Sequence, residues 1–509
     1  MKQSMKMKQS KKLLTNRLIV SAFLILLQVC WIILLLVSMR RISRILTYLM
    51  TLLSFIAVLY IVNKDDENGY KIVWIILILS FPVFGGSLYL LFGNKKPAKK
   101  MRLAFEKQLS YSKQFVDKEC IGVIEDQDVK GQMRYLASQT FPMYQNNEVT
   151  YFSLGDQAYP QMLEELKKAK RFIFMEYFIV DEGKMFDGIL EILKEKVKEG
   201  VEVRFMYDDV GCITMLDRHY YQKLRQYGIK SVAFNPFVPL VSLVMNNRDH
   251  RKITVIDGKV AFCGGYNLAD EYINVRDKYG HWKDSGIMIK GSAVWPLCKM
   301  FLETWNVANH GQEDYTVYRV DNPLQYHQDG YIIPYGDSPL DEEPVGEMVY
   351  LNMINQAHDY LYIDSPYLIL TNALQMALIN AVKRGVDVRI CTPGIPDKKI
   401  VFKMTRSYYP TLVKNGIRIY EYSPGFNHAK NFVCDDKVAT VGTINLDYRS
   451  LYLHFECGLY LYKNPVIMKM KQDFLDSISK SHEITLKEVE TGRFRGLFEV
   501  ILRVFAPLV

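Results

Sequence analysis

The chain has 509 residues, enough for two or three domains, with 64 basic against 55 acidic residues and a formal net charge of +9. So small a positive excess suits an anionic lipid surface or a phosphate-bearing substrate. The eight cysteines are scattered without paired spacing, which excludes a disulfide framework and a cysteine metal knot and favours a reducing compartment for the part that holds them.

Much of the hydrophobic content sits at the N-terminus. The runs 18–39, 45–62 and 72–92 carry no charge and are each about long enough to span hydrocarbon, although Pro82, Gly85 and Gly86 interrupt the third. The segment 1–93 is therefore read as transmembrane. Lys2, Lys6, Lys8, Lys11, Lys12 and Arg17 precede the first run, and Arg40, Arg41 and Arg44 follow it. The next loop is acidic through Asp65, Asp66 and Glu67. Basic flanks stay in the cytoplasm, so a hairpin of the second and third runs, with its acidic loop outside, predicts cytoplasmic catalytic domains on a multi-pass cell-membrane protein. A stretch opening with Lys95, Lys96, Lys99, Lys100 and Arg102 reads as a basic linker with helical pieces over 94–149, either a solvated tether or a contact for anionic headgroups.

Beyond it the chain repeats at about 180 residues. A helical run ends at Leu166 and leads to the strand Phe172–Ile179; its later counterpart leads to Leu361–Ile369. A second helix ends at Gly200 before Val201-Glu-Val-Arg-Phe, and again at Gly385 before Val386-Asp-Val-Arg-Ile. Helix, glycine stop and apolar strand make an αβ unit. The predicted fold is α/β: two tandem homologous layered α/β/α domains, at 150–310 and 325–490. Tyr177 and Tyr367 fall at matching strand ends, in sheet packing or lining a cleft. In the last segment, 491–509, Phe494, Leu497, Phe498, Ile501, Leu502 and Phe505 share one helical face, against Arg495, Glu499 and Arg503. That amphipathic helix either docks on the domain or lies in a membrane interface.

The strongest signal is a pattern that occurs twice, His-x-Lys-x-x-x-x-Asp: His250, Lys252 and Asp257, then His428, Lys430 and Asp435. Each copy is followed at the same distance by Gly-x-x-Asn, ending at Asn267 and Asn445. Both copies read as strand, tight turn, strand. His and Lys two apart on a strand point to one face, while Arg251 and Ala429 point to the other. The aspartates fall at the turn, placed to hold strand ends and organise the site rather than to transfer a proton. Protonated lysine is a poor metal ligand, and the spacing is not that of a zinc site, so no metal and no cofactor are expected. There is no nucleophile elbow and no phosphate-binding glycine loop. Each half supplies one imidazole, so the site is predicted between the halves.

The paired motif resembles the signature of the phospholipase D superfamily. The runs Gly264–Tyr272 and Asn445–Glu456 are similar to its bacterial cardiolipin synthase branch. The resemblance implies a metal-free exchange at a phosphodiester. One histidine, His250 by analogy, attacks phosphorus to form a phosphatidyl-histidine; the other protonates the leaving alcohol and then deprotonates the incoming one. It also implies that Lys252 and Lys430 neutralise the non-bridging oxygens, that Asn267 and Asn445 donate to them, and that Asp284 and Glu456 set the imidazole tautomers. The expected substrates are phosphatidylglycerol and other anionic phospholipids at a membrane, not nucleic acid. Two phosphatidylglycerols would give cardiolipin and glycerol. A phospholipase D or a phosphatidylserine synthase is the nearest alternative; a nuclease or an inactive membrane scaffold stands further off.

Overall fold

In the computed structural model the two halves each build one mixed sheet. The structure describes residues 26, 29, 30, 33, 44–93, 97, 99–117, 124–237, 246–321, 324, 326–341, 343–490, 496 and 501–508. The first half contributes β1 (Glu148–Phe152), β2 (Phe172–Tyr177), β3 (Glu202–Asp208), β4 (Lys230–Phe234), β5 (Lys252–Ile256), β6 (Val260–Gly264), β7 (His281–Lys283) and β8 (Gly286–Lys290). The second contributes β9 (Tyr331–Asp337), β10 (Tyr360–Asp364), β11 (Asp387–Pro393), β12 (Arg418–Tyr422), β13 (Gly425–Asn427), β14 (Asn431–Cys434), β15 (Val438–Gly442), β16 (Glu456–Tyr462) and β17 (Ser481–Glu483).

The seven-stranded sheet runs β1-β8-β6-β5-β2-β3-β4, and the eight-stranded one, from its other end, β9-β16-β15-β14-β10-β11-β12-β17. Strand for strand these are one topology, with β17 added at an edge. In each, three parallel strands linked through helices, as by Lys184–Lys198 and Asn372–Lys383, adjoin an antiparallel block that carries the motif hairpin. A shared apolar core closes the halves on each other: Ile253, Val255, Ile287 and Ile289 belong to the same cluster as Val433, Val441, Leu459 and Leu461.

The motif hairpins turn at residues with positive φ, Asp257 and Gly258 in one copy and Asp435 and Asp436 in the other, as a two-residue turn requires. The aspartate side chains explain the spacing. Asp257 accepts the backbone N–H of Lys170, Arg171 and Phe172 at 2.7–2.9 Å, and Asp435 accepts those of His358, Asp359 and Tyr360 at 2.8–3.0 Å. Both therefore tie the hairpin to the start of β2 or β10. Seven residues of extended chain, about 23 Å, separate each from its histidine, so these aspartates serve the hairpin and stand away from the imidazoles. Asp257→Ala should cost about 2 kcal/mol of stability through stranded N–H groups. A melting temperature lowered with kcat kept within about twofold is the expected result.

The stretch read as a linker is built into the domains. The helix Lys99–Ser112 packs on the helix Val294–Asn309, with Gln108 donating to the Gly311 carbonyl, and Gln127–Ser138 packs on Val345–Gln356. At the N-terminus the run 18–39 lies almost wholly outside the described residues. The run 45–62 forms the helix Arg44–Val62. The run 72–92 is not one helix: it breaks at Phe81 into Asn68–Ser80 and Pro82–Phe92, because Pro82 has no N–H to continue the ladder. Among the described residues no helix is long and apolar enough to cross a membrane. These helices pack on one another through Ile61, Tyr70, Trp74 and Ile78 and leave Leu49, Leu52, Phe55, Ile56, Leu59, Ile72, Ile76 and Leu79 exposed. At Gly69 this unit meets the rest of the chain so closely that a Cβ would stand 3.0 Å from the Tyr448 hydroxyl and 3.1 Å from Pro507. Of the C-terminal segment, 491–495 and 497–500 lie outside the described residues; the part that follows docks on the second half, with Arg503 over the Tyr408 ring.

Candidate active site

Two backbone pairings cross from one half to the other, and they assemble the site. β13, just before His428, pairs parallel with β7, just before Asp284. In the matching place Asp249, just before His250, bridges Phe455, just before Glu456. His428 N–H donates to the Lys283 carbonyl at 2.7 Å, and His250 N–H to the Phe455 carbonyl at 2.9 Å. Each histidine is thus laid beside the acid of the opposite half. His250 Nδ1 stands 2.9 Å from Glu456 Oε1 and 3.0 Å from Oε2; His428 Nδ1 stands 2.6 Å from Asp284 Oδ2. The pairing of motif with acid was legible in the sequence; the exchange between halves was not, because it lives in these two short pairings.

Both carboxylates are fully buried and held in turn. Glu456 accepts the hydroxyls of Thr443 and Ser450, and Asp284 the backbone N–H of Ser285. With Nδ1–H given to a carboxylate, Nε2 of each imidazole carries the lone pair. Burial, with Lys430 beside it, lowers His428 to about 4, against the pull of Asp284. Burial, Lys252 and Lys430 hold His250 well below its ordinary value. Both rings are neutral bases near pH 7. Asp284 lies below the ordinary carboxylate range: its burial alone would raise it, but the charges of His428 and Lys430 outweigh that.

Lys252 and Lys430 are buried and donate to the carbonyl oxygens of His250 and His428, two residues back on the same strand face. Burial lowers Lys252 to about 8, with Glu456 opposing, and Lys430 to about 7, with Asp284 opposing. An anion bound here must find both ammonium groups protonated. Below pH 7 both are; above pH 8 binding has to take up protons. The affinity for a short phosphodiester, whose own charge is fixed, should then fall by up to about tenfold per pH unit for each lysine. Calorimetry from pH 6 to 9.5 measures this, and a flat profile would contradict the lysine assignment.

The two histidines line one cavity of about 680 Å³ with Phe178, Arg248, Tyr272, Trp282, Tyr367, Asn445, Arg449 and His454, among others. Tyr177, by contrast, packs inside its sheet with its hydroxyl on Thr254. Asn267 lines the cavity but is already engaged: its Oδ1 accepts Ile179 N–H and its Nδ2 donates to the Tyr272 hydroxyl. Asn445 keeps a buried Oδ1 without a partner. Arg251 points away, as expected, onto Glu176 at 2.9 Å and Asp249 at 3.1 Å.

Sequence reasoning gave no role to His454. It lies two residues before Glu456, on the same face of an extended segment, and that spacing was its signal. Its ring centre is 5.5 Å from that of His250, and neither buried ring nitrogen has a hydrogen-bond partner. His250, His454 and Glu456 bring ligand-type atoms within 4.8 Å of one another. The Glu456 oxygens are already taken by His250, Thr443 and Ser450, and the charges of Lys252 and Arg449 act on the set, surroundings that disfavour a cation. Cys212, Cys263, Cys298, Cys391, Cys434 and Cys457 are free and buried.

Two duplicated α/β halves, each giving one imidazole and one carboxylate across a shared cavity, define a phospholipase D-type enzyme. A family model described as "Cardiolipin synthase, PLD-like domain" matches residues 162–290 and 350–478, and one described as "Phospholipase_D-nuclease N-terminal" matches 52–94. A cardiolipin synthase of Alkalihalophilus pseudofirmus is 32% identical over 90% of this chain and 92% of its own length, and one of a Geobacillus species is 34% identical over the same shares. An uncharacterized protein of Streptococcus mutans is 43% identical over 89% of the chain and 99% of its own length. In fold, the chain is similar to a phosphatidylserine synthase of Haemophilus influenzae, with a TM-score of 0.55 at 15% identity, over 74% of this chain and 98% of that one. The chain belongs to the cardiolipin synthase family of phospholipase D-type phosphatidyltransferases.

Proposed function

We propose that this chain is a membrane-attached cardiolipin synthase that transfers a phosphatidyl group from one phosphatidylglycerol to another and releases glycerol. The observation that carries the reading is the exchanged pairing, which sets two neutral, carboxylate-held imidazoles at one cavity, with the charges of two buried lysines acting on them. That set serves nucleophilic displacement at phosphorus. One Nε2 bonds to phosphorus as the bond to the donor's glycerol oxygen breaks, and the other imidazole, entering as its protonated form, gives that oxygen its proton. The second imidazole, now neutral, takes the proton of the acceptor hydroxyl, whose oxygen bonds to phosphorus as the nitrogen leaves. The bound phosphodiester supplies the negative charge that restores a proton to an otherwise depressed imidazole. The buried charges of Lys252 and Lys430 offset those of the non-bridging oxygens. Asp284 and Glu456 hold the tautomers.

The exposed apolar faces of the N-terminal helices support attachment to a bilayer. Their contact at Tyr448, one residue from the cavity-lining Arg449, would hold the cavity near the headgroups. The basic flanks and the buried free thiols support a cytoplasmic position for the catalytic halves. The full chain in phosphatidylglycerol micelles, read by lipid mass spectrometry, tests the function. Cardiolipin with glycerol is expected, and chelator should leave the rate within about threefold. Phosphatidic acid alone would make it a lipase. Activity lost to chelator and restored by one divalent ion would sink the lysine-based chemistry.

A further inference from the structure

The halves are copies, but the two ends of the cavity are not. At its His428 end stand Tyr272, Trp282 and Phe426, with ring centres 5.5–5.6 Å from the imidazole. At the His250 end the duplication puts different residues in the matching places. Arg248 stands where the other copy has Phe426, two residues before the histidine. His454 stands where it has Trp282, two residues before the acid. Arg449 stands where it has Glu271, four residues after the asparagine. Glu271 is paired with Lys278 at 3.0 Å and Arg276 at 3.4 Å. Arg449 makes no ion pair among the described residues. Its burial pulls the guanidinium below its ordinary value; Asp447 opposes this and the neighbouring Arg248 adds to it. Arg248 holds Asp208 at 3.4 Å and the Asn235 carbonyl at 2.9 Å, yet its buried Nε has no partner. His454 is kept neutral, near 4, mainly by burial. Its Nδ1 stands 3.8 Å from Glu456 Oε1, and its Nε2, without a partner, can hydrogen-bond a hydroxyl.

Resting on the synthase reading, we propose that the Arg248, Arg449 and His454 end is the seat of the acceptor lipid, with the two arginines on its phosphodiester and His454 on its glycerol hydroxyls. A half-buried Arg449 without an ion pair, and an Arg248 with a free Nε, beside a neutral imidazole fit an anion joined to a polyol; at the aromatic end Lys278 is already held by Glu271. A consequence follows from displacement geometry. The acceptor oxygen reaches phosphorus from the side opposite the bonded nitrogen. An acceptor seated beside His250 therefore gives its proton to His250, and the phosphatidyl group rides on His428, the reverse of the order that the superfamily resemblance implies. The Nε2–P bond to His428 forms as the donor's glycerol leaves with a proton from His250. It breaks as the acceptor oxygen bonds to phosphorus and returns a proton to His250.

Arg449→Gln tests the seat, because it removes charge needed by an anionic acceptor and not by a neutral one. Full-length protein is supplied with phosphatidylglycerol, and cardiolipin synthesis is compared with exchange of labelled free glycerol into the donor. The ratio of synthesis to exchange should fall at least about tenfold, and Arg449→Lys should recover part of it. Loss of both reactions alike, or an unchanged ratio, would overturn the seat. Label from the donor trapped on the peptide of His250 instead of His428 would overturn the order of the histidines. A wild-type chain that makes no cardiolipin would instead overturn the synthase reading itself.

Discussion

His250→Ala and His428→Ala each remove turnover by at least about ten-thousand-fold, the loss expected when a nucleophile or its proton partner has no substitute. The two losses are equal in kind because the cavity holds one imidazole from each half, and neither half can complete a displacement alone. Folding should survive, since each ring packs at a cavity wall with modest exposure rather than in an apolar core. The double variant should be no worse than either single one, because residues that act as a unit are not additive. Rates under saturating lipid, with melting temperatures beside them, measure this. A single variant that retains a hundredth of the rate would show that its imidazole is not an essential reactant.

Asp284→Asn should cost about a thousandfold or more, the size of effect seen when a carboxylate that fixes a catalytic tautomer becomes an amide. The structure makes this prediction specific, because Asp284 sits in the first half and acts on His428 of the second. In the variant the amide can offer N–H to Nδ1, so the lone pair turns away from the substrate. Nitrogen NMR of labelled imidazoles should show His428 changing tautomer and His250 unchanged. Glu456→Gln should give the mirror image, with some loss of stability because Thr443 and Ser450 also lose their charged acceptor. A change at His250 on substituting Asp284 would refute the exchanged pairing.

How much of this was legible in the residues depends on the range of the contacts. His-x-Lys on a strand declares one face, and the turn aspartates declare a hairpin, because both are local. The duplicated order of helix, glycine and strand was enough to place two α/β halves. The exchange of acids between halves rests on pairings more than 140 residues apart, such as His428 with Asp284, and no periodicity reports them. The run 72–92 misled because apolar count measures length in lipid, whereas Pro82 decides where a helix ends. The stretch 94–149 looked like a tether through its lysines, yet Phe105 is buried and stacks on Phe455 at 4.6 Å, next to Glu456. His454 and Arg449 escaped notice because their meaning lies in what the other copy has instead.

The central claim is that the phosphatidyl group passes through a histidine at the meeting of the halves. Mixing the full chain with phosphatidylglycerol labelled in its acyl chains, quenching in denaturant and mapping the labelled peptide tests it directly. The account predicts label on a motif peptide, lost on acid treatment as a phosphorus–nitrogen bond requires and absent when both His250 and His428 are replaced. Cardiolipin formed at full rate with no labelled histidine, or label that persists in the double variant, would contradict it.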